Sequence, residues 1–142
     1  MKKGIAEFQR LFAEERTVIL RDATQRISNA VVRVSPVGND PGGEYVAEWD
    51  VEIGRFPTDT DQPRDPRRTR TRRRLQETIA RVEYGQTVFF ENDDPAAVRL
   101  EFGYSDQAPQ GVVRSQSRRW NQFVRGAGRA AQSRLRKRVI DE

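Results

Sequence analysis

The sequence predicts an α+β domain: a small, mostly antiparallel sheet with a long N-terminal helix, a connecting helix and a C-terminal helix. Three observations predict it. Between Ile5 and Val34 apolar residues recur at three- and four-residue intervals, as one face of a helix requires. From Tyr45 to Ile53 apolar and acidic residues alternate, as a strand with one buried face requires. After the corner Gln107-Ala108-Pro109 an apolar stripe returns at helical spacing.

In the first helix Phe8, Phe12, Ile19, Ala23, Ile27, Ala30 and Val34 form the apolar face, with Leu11 and Val18 beside it. Glu14, Glu15, Arg16, Arg21, Asp22 and Arg26 populate the other face, so ordinary core packing accounts for the helix. A helix this long also reaches past a small core. Pro36 marks its end, and the turn-forming run Ser35–Glu44 is a loop.

In the strand, Tyr45, Ala47, Trp49, Val51 and Ile53 alternate with Val46, Glu48, Asp50 and Glu52. The acidic face suits solvent or a partner better than a metal, because no compact ligand cluster follows it. Residues 54–74 form a Pro/Arg-rich loop broken by Pro57, Pro63 and Pro66. It contains Arg64, Arg67, Arg68, Arg70, Arg72, Arg73 and Arg74, offset only by Asp65. Such a run suits phosphates or acidic protein surfaces, since each guanidinium is a permanently charged planar fork of donors; a solvated, codon-biased surface is the plainer reading.

A helix over about Thr71–Glu83 follows, with Leu75, Ile79 and Val82 as its stripe and Gly85 as its stop. Strand Thr87–Glu91 comes next. It ends at Asn92-Asp93-Asp94-Pro95, where an acidic side chain accepts free N–H groups and Pro95 takes the first helical position of a brief helix. Val98, Leu100 and Phe102 give that helix an apolar face, and Gly103 ends it. The last helix starts at Val112, with Val113, Trp120, Val124, Ala127, Ala131 and Leu135 on one face and Gln116, Phe123 and Val139 flanking it. Trp120 and Phe123 read as core residues rather than platforms for bases. Residues 126–142 form a basic C-terminal extension.

The whole chain of 142 residues reads as one domain. With 35% hydrophobic and 33% charged residues and a mean hydropathy of −0.85, its core is small for its surface, as suits a subunit completed by neighbours. The chain contains no cysteine and no histidine, which removes thiol nucleophiles, disulfides, Cys/His zinc sites and histidine bases. Its lysines are Lys2, Lys3 and Lys137, near the termini, and no serine–lysine or carboxylate–metal arrangement is recognisable, so no enzyme and no cofactor are expected. A net charge of +5 comes from 26 basic and 21 acidic residues. No apolar run approaches the length of a membrane span and MKKGIAEF lacks a signal-peptide core, so a cytoplasmic site of synthesis is expected.

One stretch carries a resemblance. Asn92, Asp93, Asp94-Pro95, Leu100-Glu101, Gly103, Ser105, Gln107-Ala108-Pro109, Gly111 and Val113-Arg114 resemble, without a gap, the signature of the tail-completion or neck proteins of long-tailed bacteriophages, the group that includes minor tail protein Z of lambda-like phages. That signature runs Asn-Asn-Leu-Pro-Tyr and then Leu-Glu-x-Gly-x-Ser-x-Gln-Ala-Pro-x-Gly-Met-Val-Arg. Asp94, Ala96 and Val112 depart from it, standing where the family has an apolar residue, an aromatic and a methionine. Ser35-Pro36-Val37 keeps the start of a second family segment.

The resemblance implies a structural virion protein, assembled in the host bacterial cytoplasm and forming a homo-oligomeric, hexameric ring at the phage neck. Its partners would be head-closure or adaptor proteins on one side and tail terminator or tail tube proteins on the other, with DNA in the central passage and no membrane. Gly103 and Gln107–Pro109 would fix how the last helix leaves the sheet. Arg64–Arg74 would dock on an acidic neighbour or meet the DNA. The alternative is a free nucleic-acid-binding protein that uses the same run.

Overall fold

The computed structural model describes the backbone of residues 2–58 and 61–141, and of these the side chains of all but 2, 3, 8 and 138–141. The chain order is α1 (Lys2–Val34), α2 (Glu44–Ala47), β1 (Trp49–Ile53), α3 (Thr69–Ile79), β2 (Val88–Asn92), α4 (Ala97–Glu101), α5 (Val113–Ser117) and α6 (Trp120–Asp141). This is a small α+β fold built on a long N-terminal helix and a two-stranded antiparallel sheet. Among the described residues no helix is long and apolar enough to cross a membrane.

The core lies where the second half of α1 meets the sheet and α3. Val31, Val32, Tyr45, Val46, Trp49, Val51, Leu75, Ile79, Ala108 and Val112 form it. Trp49 is its centre: the indole stacks on Phe90 with centroids 4.7 Å apart and meets Tyr45 edge-on at 5.8 Å. Its Nε1–H donates to Ser35 Oγ at 2.8 Å, and Ser35 Oγ donates to Val31 O at 2.8 Å, so the polar atoms of these two buried side chains are satisfied.

The first half of α1 outruns this core. Phe12, on the predicted apolar face, and Leu11 and Val18 beside it are exposed, and Ile5 with them; Phe8 lies outside the described side chains. α6 packs antiparallel along α1, with Ala127 and Ala131 buried, Arg26 against Gly126 and Arg134 Nη2 at 3.9 Å from Asp22.

Strand β1 pairs with β2 in the register Trp49↔Asn92 to Ile53↔Val88. Gly54 N–H donates to Thr87 O at 2.8 Å, so by antiparallel alternation Trp49, Val51 and Ile53 turn their backbone groups away from β2. That outer edge is closed from within. Val51 N–H donates to Asp50 Oδ1, and Arg74 Nη2 donates to Trp49 O.

Several expectations are corrected. The predicted strand Tyr45–Ile53 is a helical turn followed by a strand, because Ala47 N–H and Asp65 N–H both donate to Gly43 O and wind the chain there. Tyr45, Val46 and Ala47 are accordingly all buried rather than alternating. α3 begins at Thr69, inside the predicted loop, and ends at Ile79. Pro95 sits in the turn before α4 rather than at its first position, and Val98 and Phe102 are exposed while Leu100 packs against the core. The last helix is two helices, broken at Arg118-Arg119. Trp120, expected in the core, is 37% exposed beside that break. Residues 126–141 continue α6; Val139 lies outside the described side chains.

Candidate interaction surface

The arginine run divides into two groups. Two of its members build the fold. Arg68 adopts φ 61°, a left-handed conformation at the start of α3, and its guanidinium reaches back to the end of α1: Nε donates to Val32 O and Nη2 to Ser35 O, both at 3.0 Å. These carbonyls have no partner within the helix, so Arg68 caps α1 across the chain. Arg74 donates through Nη2 to Ala47 O at 2.8 Å and Trp49 O at 2.6 Å and through Nη1 to Gln62 Oε1 at 3.2 Å, with Nε 3.9 Å from Asp50. Neither guanidinium is free to bind a partner.

Local bonds hold two more: Arg64 pairs with Glu44 at 2.8 Å and Arg70 donates to Arg64 O at 2.7 Å. Arg67, Arg72 and Arg73 are exposed, and their guanidiniums make no hydrogen bond or ion pair among the described residues. Asp65, the one acid in the run, is buried and accepts Thr71 N–H at 2.8 Å, which anchors the first turn of α3.

Arg72 joins residues that the sequence does not place beside it. With Gln76 it faces Arg26, Asn29, Ala30 and Arg33 of α1 and Phe123 of α6 across an open cleft of about 480 Å³. On α1 the spacing of 26, 29/30 and 33 is one helical stripe, and that is the signal a sequence reading could use. Its pairing with Arg72 depends on how α1 and α3 pack.

The residues from Asn92 to Arg114 form one joint. Asn92 Nδ2 donates to Tyr45 O at 2.7 Å, its Oδ1 accepts Asp94 N–H, and Asp94 Oδ1 accepts Ala96 N–H in the turn that carries Pro95. Ser105 Oγ accepts Gln107 N–H at 3.2 Å, and Gln107 Oε1 accepts Val37 N–H at 3.2 Å, tying this segment to the loop after α1. Ala108 is buried in the core, next to the exposed Pro109.

Glu101 is the hub. Its Oε2 accepts Val112 N–H at 2.9 Å and Val113 N–H at 2.8 Å, and its Oε1 accepts Arg114 N–H at 2.7 Å. Arg114 returns the contact, with Nε 3.3 Å from the carboxylate and Nη2 2.5 Å from Glu101 O. A carboxylate from another helix thus caps α5, where α5's own N-cap residue, Val112, offers no side-chain acceptor. Gly103 and Gly111 let the strands of this joint close up: both have positive φ, and a Cβ would stand 2.6 Å from Pro109 O at the first and against Glu101 O at the second.

Burial raises the pKa of Glu48, with Asp93 and Asp61 adding to the effect against the lowering by Gln62 N–H. Burial, then Glu101 and Asp94, likewise raise the Tyr45 phenol. Among the described residues no three such side chains converge as metal ligands.

Comparison with protein-family models, with curated proteins and with solved structures finds no match to this chain.

Proposed function

We propose that this chain is a structural subunit of the neck of a long-tailed phage, one of a homo-oligomeric, hexameric ring that completes the upper end of the tail and joins it to the head. The ungapped pattern from Asn92 to Arg114 carries this reading. In support, the polar residues of that pattern are used on one another and on the core, as residues with an architectural role would be. The role is mechanical and needs no cofactor.

The surface also suits a subunit completed by neighbours. Ile5, Leu11, Phe12 and Val18 on the overhanging half of α1, and Val98, Phe102 and Tyr104 around α4, are large apolar residues left exposed on a protein with a small core. Arg67, Arg72 and Arg73 are the members of the arginine run whose guanidiniums have no partner among the described residues and so have charge to offer an acidic neighbour. Repeated around an axis, many modest contacts give a stable joint without any one strong contact. Deleting the gene from its phage tests the proposal: filled heads and separate tails in electron micrographs are expected, and normal joined particles would overturn it.

A further inference from the structure

We propose that the cleft between α1, α3 and α6 binds the phosphodiester backbone of a nucleic acid. This goes beyond the neck reading and does not depend on it. The cleft gathers Arg26, Arg33 and Arg72 with the side-chain amides of Asn29 and Gln76 and the ring of Phe123. Among the described residues no carboxylate lines it.

The arrangement is partly prebuilt. Arg26 is held by two hydrogen bonds to Asp22, at 2.9 and 3.3 Å, and lies against Gly126, where a Cβ would stand 3.1 Å from its Nη1. The glycine makes room for the guanidinium, and Asp22 fixes its plane. Asn29 Oδ1 accepts from Gln25 at 3.1 Å, which leaves its NH₂ group as a donor. The guanidiniums of Arg33 and Arg72 make no hydrogen bond or ion pair among the described residues. Two such charges lining one cleft repel each other, and an anion seated between them adds an attraction to each that offsets the repulsion.

The kind of anion follows from what the lining offers. The guanidiniums of Arg33 and Arg72 present paired N–H donors that match phosphate oxygens, Arg26 keeps Nη1 beside them while Asp22 holds its Nε and Nη2, and a repeating polyanion engages several donors at once. Phe123, half-buried with the Arg119 guanidinium 5.2 Å from its ring centroid, offers an aromatic face on which a sugar or base can rest. An acidic peptide brings backbone N–H donors that need acceptors, and the lining supplies few.

The test uses two double variants that remove equal charge. R33Q/R72Q removes the two cleft arginines whose guanidiniums have no partner among the described residues; R67Q/R73Q removes two exposed arginines outside the lining. Binding of the full chain to a short labelled DNA duplex is followed by fluorescence anisotropy from about 50 to about 200 mM salt. Each phosphate neutralised contributes a slope of about −0.9 in log affinity against log salt. R33Q/R72Q is therefore expected to flatten the slope by about 1.8 and weaken binding roughly 60-fold near 0.1 M salt. R67Q/R73Q is expected to leave the slope unchanged. Circular dichroism and thermal melting of both variants confirm that the fold is kept. Equal losses in the two variants would overturn the proposal in favour of diffuse charge. Absent DNA binding would overturn it too, and binding of a poly-glutamate peptide that R33Q/R72Q abolishes would then assign the cleft to an acidic protein. Copy number in particles is a separate readout, so this inference and the neck reading fail independently.

Discussion

Replacing Glu101 by alanine should be among the most damaging single changes outside the apolar core. It removes the acceptor of three backbone N–H groups at once. Val113 and Arg114 are exposed, so water replaces the carboxylate at their N–H groups, and the loss there is that of an ordinary helix cap, about 1 kcal/mol. Val112 is fully buried, so its N–H is left without a partner, which costs about 1–3 kcal/mol. The ion pair to Arg114, whose side chain is 48% exposed, adds at most about 1 kcal/mol. Together these come to about 3 kcal/mol, which moves a urea midpoint down by about 1.5 M for a slope of about 2 kcal/mol/M. Glu101→Gln keeps one acceptor oxygen and should lose about half as much. Urea denaturation followed by tryptophan fluorescence, with Trp49 next to this joint in the core, measures both. A midpoint shift below about 0.5 M for Glu101→Ala at an unchanged slope would refute the assignment of Glu101 as the cap of α5.

Three further outcomes follow from the same contacts. Arg68→Gly and Arg68→Ala both lose the cap on α1, but alanine keeps a Cβ in the left-handed conformation, so the glycine variant should be the more stable by about 1 kcal/mol in thermal or urea melts, although it deletes more atoms. Trp49→Phe leaves Ser35 Oγ without its buried donor and should cost about 1–3 kcal/mol, while a Ser35→Ala/Trp49→Phe double variant should cost less than the sum of the single changes. Glu48 has its folded-state pKa raised, so the native state holds the proton more tightly than the unfolded chain, and Glu48 lowers stability as pH rises from its unfolded pKa through the higher folded one. Glu48→Gln should therefore raise the melting temperature at pH 7, with the gain vanishing in acid where the wild-type carboxyl is also protonated.

How much of this was legible in the sequence depends on the range of the interaction that decides each feature. The end of α1 at Pro36, the Leu75/Ile79 stripe of α3 and strand β2 are set by local period and breakers, and they read correctly within a few residues. Tyr45–Ala47 misread as strand because three apolar residues in a row fit either period; Gly43, with φ 90° and a carbonyl shared by Ala47 and Asp65, tips it to a helical turn. Trp120 and Leu11 carry correct helical spacing, but spacing does not tell whether a core lies alongside, and their helices extend past it.

The arginine run shows the same division. Nothing local separates Arg68 and Arg74 from Arg67 and Arg73. What separates them is the position of carbonyls at Val32, Ser35, Ala47 and Trp49, fixed only when α1, α2 and β1 have packed. The cleft that joins Arg72 to Arg33 arises in the same way, from the packing of α1 against α3.

The most direct test of the neck reading is the number of copies of this chain in the mature particle. Quantitative mass spectrometry of purified particles, with the portal subunit as internal standard, gives it. The account predicts a fixed low stoichiometry that matches one hexameric ring or two. Absence of the chain from purified particles, or a copy number that varies between preparations, would contradict it.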